Sequence, residues 1–157
     1  DGFINATSDN HRFANRGVLG EPRLLDGPFQ PNAGISLAAI RDGQSNTILL
    51  GELQRLRPNG LPGAANNANR TSHDGWAAGG VATLFVTATD LAHSNPGGMN
   101  NGFFESPGSD HAGGAFFAMA DGSVHFLSEF IDAKDNASVF PLLGSMRDGE
   151  IASVASH

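Results

Sequence analysis

The chain has 157 residues and a formal charge of −7, with 9 Lys plus Arg set against 16 Asp plus Glu. It has no basic cluster to neutralise phosphates or to sit on anionic lipid, which argues against nucleic-acid and membrane-surface partners. The absence of cysteine excludes disulfides, thiolate metal sites and cysteine nucleophiles.

The length suits one domain over 1–157, and 21 glycines point to an outline dominated by turns and loops. From Asp1 to Pro31 the chain mixes Asn, Asp, Gly and Pro with short apolar pieces and reads as irregular coil. Asp1-Gly2-Phe3 carries neither an initiator Met nor a basic-then-apolar signal and reads as a processed or trimmed start. Ser36 is placed to cap a short helix over 37–41 that stops at Asp42-Gly43, after which Thr47 to Leu53 reads as a buried strand. Residues 57–70 lack an apolar period, contain Pro58 and Pro62, and read as a loop insertion with its tip at 66–69. A second strand is expected over 82–89 and a Gly/Asn loop over 94–102. No apolar run approaches the roughly 20 residues of a membrane span.

The best local signal is Ala115 to Ala120, then Asp121-Gly122, then Ser123 to Leu127: two strand-like runs joined by a dipeptide suited to a type I′ turn. A two-residue loop sets Met119 opposite Val124 and Phe117 opposite Phe126, so these apolar pairs are expected to line the core. A lone hairpin is marginal in water, and the Thr47 to Leu53 strand is the candidate neighbour. Further on, Asn136 is placed to cap a helix reaching Met146, with Asp148-Gly149 as its stop and Pro141 as a defect inside it. The expected class is α+β, an antiparallel sheet with long loops and short helices.

Three segments resemble one family. They are Ile40-Arg41-Asp42-Gly43-Gln44-Ser45-Asn46-Thr47-Ile48 with the residues up to Glu52, His111 followed after nine residues by Asp121-Gly122, and Arg147-Asp148-Gly149-Glu150. Together they are similar to the His-x9-Asp-Gly family of bacterial prepilin-like proteins over roughly 34–54 and 106–151. The resemblance implies the globular head of a type IV pilin-like or pseudopilin-like subunit, in which a long N-terminal helix packs on an antiparallel sheet. That helix has no counterpart in 1–157, so the precursor is expected to carry its membrane anchor separately. Expected partners are other pseudopilin-like subunits or envelope proteins, and the expected location is extracytoplasmic, in the periplasm, at the cell surface or outside a bacterium. The motif residues carried over are His111, Asp121, Gly122, Asp42, Gly43, Ser45 and Asn46. Because heads of related families use calcium to fix a C-terminal loop, structural Ca²⁺ on Asp110, Asp132 and Asp135, with Asn136 nearby, is a further expectation.

Read from its chemistry, a His and an Asp at fixed spacing suit metal ligation or acid/base work. The structural reading is stronger: an Asp opening a hairpin loop accepts turn N–H groups, and a His at the strand entrance bonds to a loop carbonyl or to that Asp. Ser72-His73-Asp74 has the residue types of a hydrolase triad, but adjacent residues do not converge on one proton path. The function expected is therefore a non-catalytic assembly component of a pilus, secretion pseudopilus or cell surface. The alternatives are an extracellular carbohydrate-binding module using Trp76 and, behind it, a metal-dependent hydrolase using His73, His111 and Asp121.

Overall fold

The computed structural model describes residues 27–28, 35–52, 85–89, 96–101, 106–147, 149–150 and 152. Three strands, β1 (Ile48–Gly51), β2 (Gly114–Met119) and β3 (Val124–Ser128), form one antiparallel sheet in the order β1-β2-β3. Two 3₁₀ turns, Leu37–Ala39 and Gln44–Asn46, precede β1, and one helix, α1 (Val139–Gly144), follows β3. A small antiparallel sheet with few helices is an α+β arrangement, as the composition and periodicity implied.

The hairpin forms, but its loop is one residue longer than a type I′ turn allows. Gly122 N–H donates to Met119 C=O (3.0 Å) and Met119 N–H to Ser123 C=O (2.8 Å), so Ala120, Asp121 and Gly122 make the loop. Gly122 sits at φ +87°, while Ala120 and Asp121 keep negative φ. This is the geometry of a type I turn closed by a glycine bulge. A type I′ turn would have forced Asp121 into the left-handed region, where a side chain is strained; the longer loop leaves that conformation to glycine alone.

The extra residue shifts the register by one and moves side chains between faces. Phe117 lies opposite His125 and Phe116 opposite Phe126, not Phe117 opposite Phe126 and Met119 opposite Val124 as expected. The inner face consequently carries Ala115, Phe117, Met119 and Leu127, all buried, while Phe116, Val124 and Phe126 stand on the exposed outer face.

β1 pairs with β2 as anticipated, although over Ile48–Gly51 alone, and the register breaks between Ile48 and Leu50 so that Leu49 is bulged. Ile48 points into the core, Leu49 packs on a small cluster of Ile40, Ala120 and Met146, and Leu50 is 59% exposed. β1 is thus an edge strand with one inward side, which corrects the expectation of a fully buried one. Gly51 is needed for a close approach, since a Cβ there would meet the Phe117 ring at 2.7 Å.

The main core gathers Ile48, Phe85, Met99, Phe117, Met119, Leu127, Phe140 and Leu143. Phe117 sits edge-on between Phe85 (centroids 5.9 Å) and Phe140 (5.6 Å), and each such burial contributes roughly 1.5–3 kcal/mol.

Within the expected 82–89 strand, residues 85–89 belong to no ladder, although Phe85 to Ala88 are buried. They are held from the α1 side, where Thr89 N–H and Oγ1 both donate to Asn136 Oδ1 (2.9 and 3.1 Å). Asn136 therefore ties down a crossing chain and caps nothing. The helix begins after Ser138, which puts Pro141 in its first turn, where no intrahelical N–H partner is lost. The early helix is only the 3₁₀ turn Leu37–Ala39, and the Ser36 side chain makes no capping bond. The 57–70 loop, His73 and Trp76 lie outside the described residues.

Candidate functional site

The three sequence segments meet at the turn end of β2. Ala120 N–H donates to Thr47 C=O (2.8 Å) and Asp121 N–H to Gln44 C=O (3.1 Å), docking the hairpin loop on the 40–47 segment. That segment is tied in turn to the chain after α1: Arg41 N–H donates to Met146 C=O (2.7 Å), and Gly149 N–H donates to Asp42 Oδ1 (3.0 Å). Thr47, fully buried, shares its hydroxyl proton between the carbonyls of Gly43 (3.1 Å) and Ser145 (3.2 Å). Gly43 reaches φ +101°, which opens the Gln44–Asn46 turn, and Asn46 Nδ2 closes that turn on the Asp42 carbonyl (3.2 Å). Ser45 alone of this segment's motif residues has an exposed side chain without a described partner.

Asp121 turns its carboxylate to its own loop. Its Oδ1 accepts from Ser123 N–H (2.8 Å) and Ser123 Oγ (2.6 Å), and these bonds, the hydroxyl one first, hold its pKa below the ordinary carboxylate value. His125 Nε2 lies 3.1 Å from the same Ser123 Oγ. The order Asp–Ser–His is the reverse of what activates a serine: with the hydroxyl proton directed at Asp121, His125 Nε2 presents its own N–H to the serine oxygen.

His111 lies at the other end of β2. Its Nε2 is 3.3 Å from Glu52 Oε1, and its ring meets Phe116 edge-on with centroids 5.4 Å apart; Phe126 completes the aromatic group, 5.0 Å from Phe116. Glu52 explains the arrangement. It follows the last residue of β1, and its Oε2 accepts the Phe116 N–H (2.7 Å), so a carboxylate extends the ladder where the strand backbone leaves it. Its own backbone is fixed as well, donating to Phe116 C=O (3.2 Å) and accepting from Gly108 N–H (3.0 Å).

His111 and Asp121 therefore bracket β2, about 17 Å of strand apart, and do not bond to each other. A shared ligand set for the two, as the hydrolase alternative required, is not what this geometry builds. Among the described residues no group of three or more His, Asp or Glu side chains is placed to hold a metal ion. Asp110 and Asp132 are exposed, and Asp135 Oδ1 instead accepts Ala137 N–H (2.9 Å) and Ser138 Oγ (3.2 Å) in the turn before α1. The calcium expectation thus finds no gathered donor set in this region. Sequence reasoning missed Glu52 as the partner of His111 and Thr47 as the buried tie; the available signal was their position at the two ends of the apolar run 48–51.

The family model described as "Protein of unknown function (DUF1559)" matches residues 1–134. The chain belongs to the DUF1559 family. The match spans β1, β2 and β3, and α1 lies beyond it. No curated protein and no solved structure matches the chain. In this DUF1559 protein the side chains of Asp42, Asn46, His111 and Asp121 engage neighbouring groups of their own fold.

Proposed function

We propose that this DUF1559 chain is a non-catalytic structural component, the head of a pseudopilin-like subunit acting in a pilus, a secretion pseudopilus or the bacterial cell surface. The observation that carries the reading is the knot at the turn end of β2. Asp42, Thr47 and Asp121 direct their polar atoms at backbone or neighbouring groups of the same domain, which is how residues that shape a module behave. The likeness of the 40–52, 111–126 and 147–150 segments to the His-x9-Asp-Gly prepilin-like pattern supports the same reading. In it, the nine residues between His111 and Asp121 measure one central strand with its entry turn and exit loop, so the spacing works as a ruler for β2.

The test is fractionation and imaging of the protein expressed from its complete gene in its own cells. Recovery with envelope material, and filaments decorated by an antibody against this chain, are the expected results. A full-length product found wholly in the cytosolic fraction overturns the proposal.

A further inference from the structure

β2 is covered on both sides by neighbouring strands, whereas among the described residues β3 has one neighbour. Bonds from Met119 N–H to Ser123 C=O and from Glu129 N–H to Gly113 C=O set the phase of the β2–β3 ladder, in which odd-numbered residues of β3 face β2. The N–H and C=O groups of Val124 and Phe126, and the N–H of Ser128, therefore point away from the sheet, and they make no hydrogen bond among the described residues. Val124 and Phe126 are 63% and 45% exposed. β3, Val124-His125-Phe126-Leu127-Ser128, also has no Lys, Pro, acidic residue or bulge, the usual devices that keep an edge strand from recruiting another.

We propose that the β3 edge is a self-association site, at which β3 of a second copy adds antiparallel and makes one continuous sheet across a two-fold axis at Phe126. The strand is its own complement in that register. Phe126 faces Phe126 of the other copy in a hydrogen-bonded pair, and Val124 faces Ser128, so every outward N–H finds a carbonyl. Ser128 C=O already accepts from Ile131 N–H (3.0 Å) and uses its second lone pair. No charge is buried or opposed along β3, which matters for a chain with a net charge of −7. The two outer faces join their exposed Phe116, Val124 and Phe126 side chains into one apolar strip, which adds burial to the backbone pairing. This inference stands apart from the pseudopilin-like reading, because it concerns the isolated 157-residue chain and no envelope partner.

The experiment is sedimentation equilibrium of the purified chain from micromolar to millimolar, with amide exchange read at Phe126. Wild type is expected to shift toward twice the monomer mass as concentration rises, with Phe126 N–H protection rising in step. F126K and F126E, each checked for folding by circular dichroism, are each expected to lose association at least tenfold, since like charges then face across the axis. A 1:1 mixture of the two is expected to restore it. F126P keeps the β2 ladder and removes the outward donor, and it is expected to be monomeric. A wild type that stays monomeric at millimolar concentration, or a dimer that folded F126K and F126P leave intact, overturns the proposal.

Discussion

The two ends of β2 are held by different means. At the Asp121 end, three stretches distant in sequence, 40–47, 120–122 and 145–149, are joined mainly by backbone hydrogen bonds around the buried Thr47 hydroxyl and the buried Asp42 carboxylate. At the His111 end, a half-buried carboxylate takes over one ladder bond and contacts a half-solvated imidazole beside two surface phenylalanines. The His111 side-chain contacts are open to water, whereas Thr47 and Asp42 at the turn are buried, so a side-chain tie is worth more at the turn. A spacing pattern such as His-x9-Asp-Gly thus joins a weak tie and a strong one along a single strand.

The largest expected effect comes from cutting what both ends share. Phe117, at the centre of β2 and fully buried against Phe85 and Phe140, is expected to cost about 3–5 kcal/mol as Phe117→Ala, read as a fall in the urea midpoint. Its neighbour Phe116, 43% exposed on the other face, is expected to cost well under half of that; equal losses would contradict the register.

At the turn end, Thr47→Val preserves shape and strands the Ser145 carbonyl, while the Gly43 carbonyl keeps the Asn46 N–H (3.0 Å), with an expected loss of about 1–3 kcal/mol in the same titration. Gly122→Ala places a side chain at φ +87° with open space around it, so the cost is conformational alone, about 1–2 kcal/mol in chemical denaturation. At the opposite end, His111→Ala removes a contact with Glu52 whose side chains are 54% and 35% exposed, and a change of about 0–1 kcal/mol is expected. A loss there matching that of Thr47→Val would erase the contrast between the ends.

The smallest effect is a pH dependence at the loop. Because Asp121 titrates below its ordinary value of 3.8 when folded, its ionised form adds stability above that pH, and the gain is lost as pH falls through the folded value. The melting temperature of Asp121→Asn is expected to lie slightly below wild type at neutral pH and to converge with it as pH falls through the folded Asp121 value, which lies below 3.8. A gap that stays constant down to pH 2 would show that the Ser123 bonds do not favour the charged form.

Much of the sheet was legible in the linear pattern. The runs 115–120 and 123–127 are apolar and β-prone, Asp121-Gly122 is turn chemistry, and the apolar run after Asn46 is long enough to supply a third strand. The knot was legible as well, in the sense that Asp42, Gly43, Asn46 and Asp121 were singled out and all four take part in it or in the loop it docks. Legibility failed where the choice turned on one residue. A two-residue and a three-residue loop use the same Asp-Gly dipeptide, and what separates them is whether Asp121 or only Gly122 takes positive φ.

Composition, apolar runs and turn residues were enough to specify a small antiparallel sheet with a glycine-closed hairpin, because those preferences act over a few neighbouring residues. Which phenylalanines enter the core, that Leu49 bulges, that Asn136 holds Thr89, and that Glu52 meets His111 all came from chain stretches far apart in sequence. In a strand a one-residue shift inverts the faces, so these outcomes follow from the packing of the whole core around Phe117, where local preference is nearly neutral between the two registers.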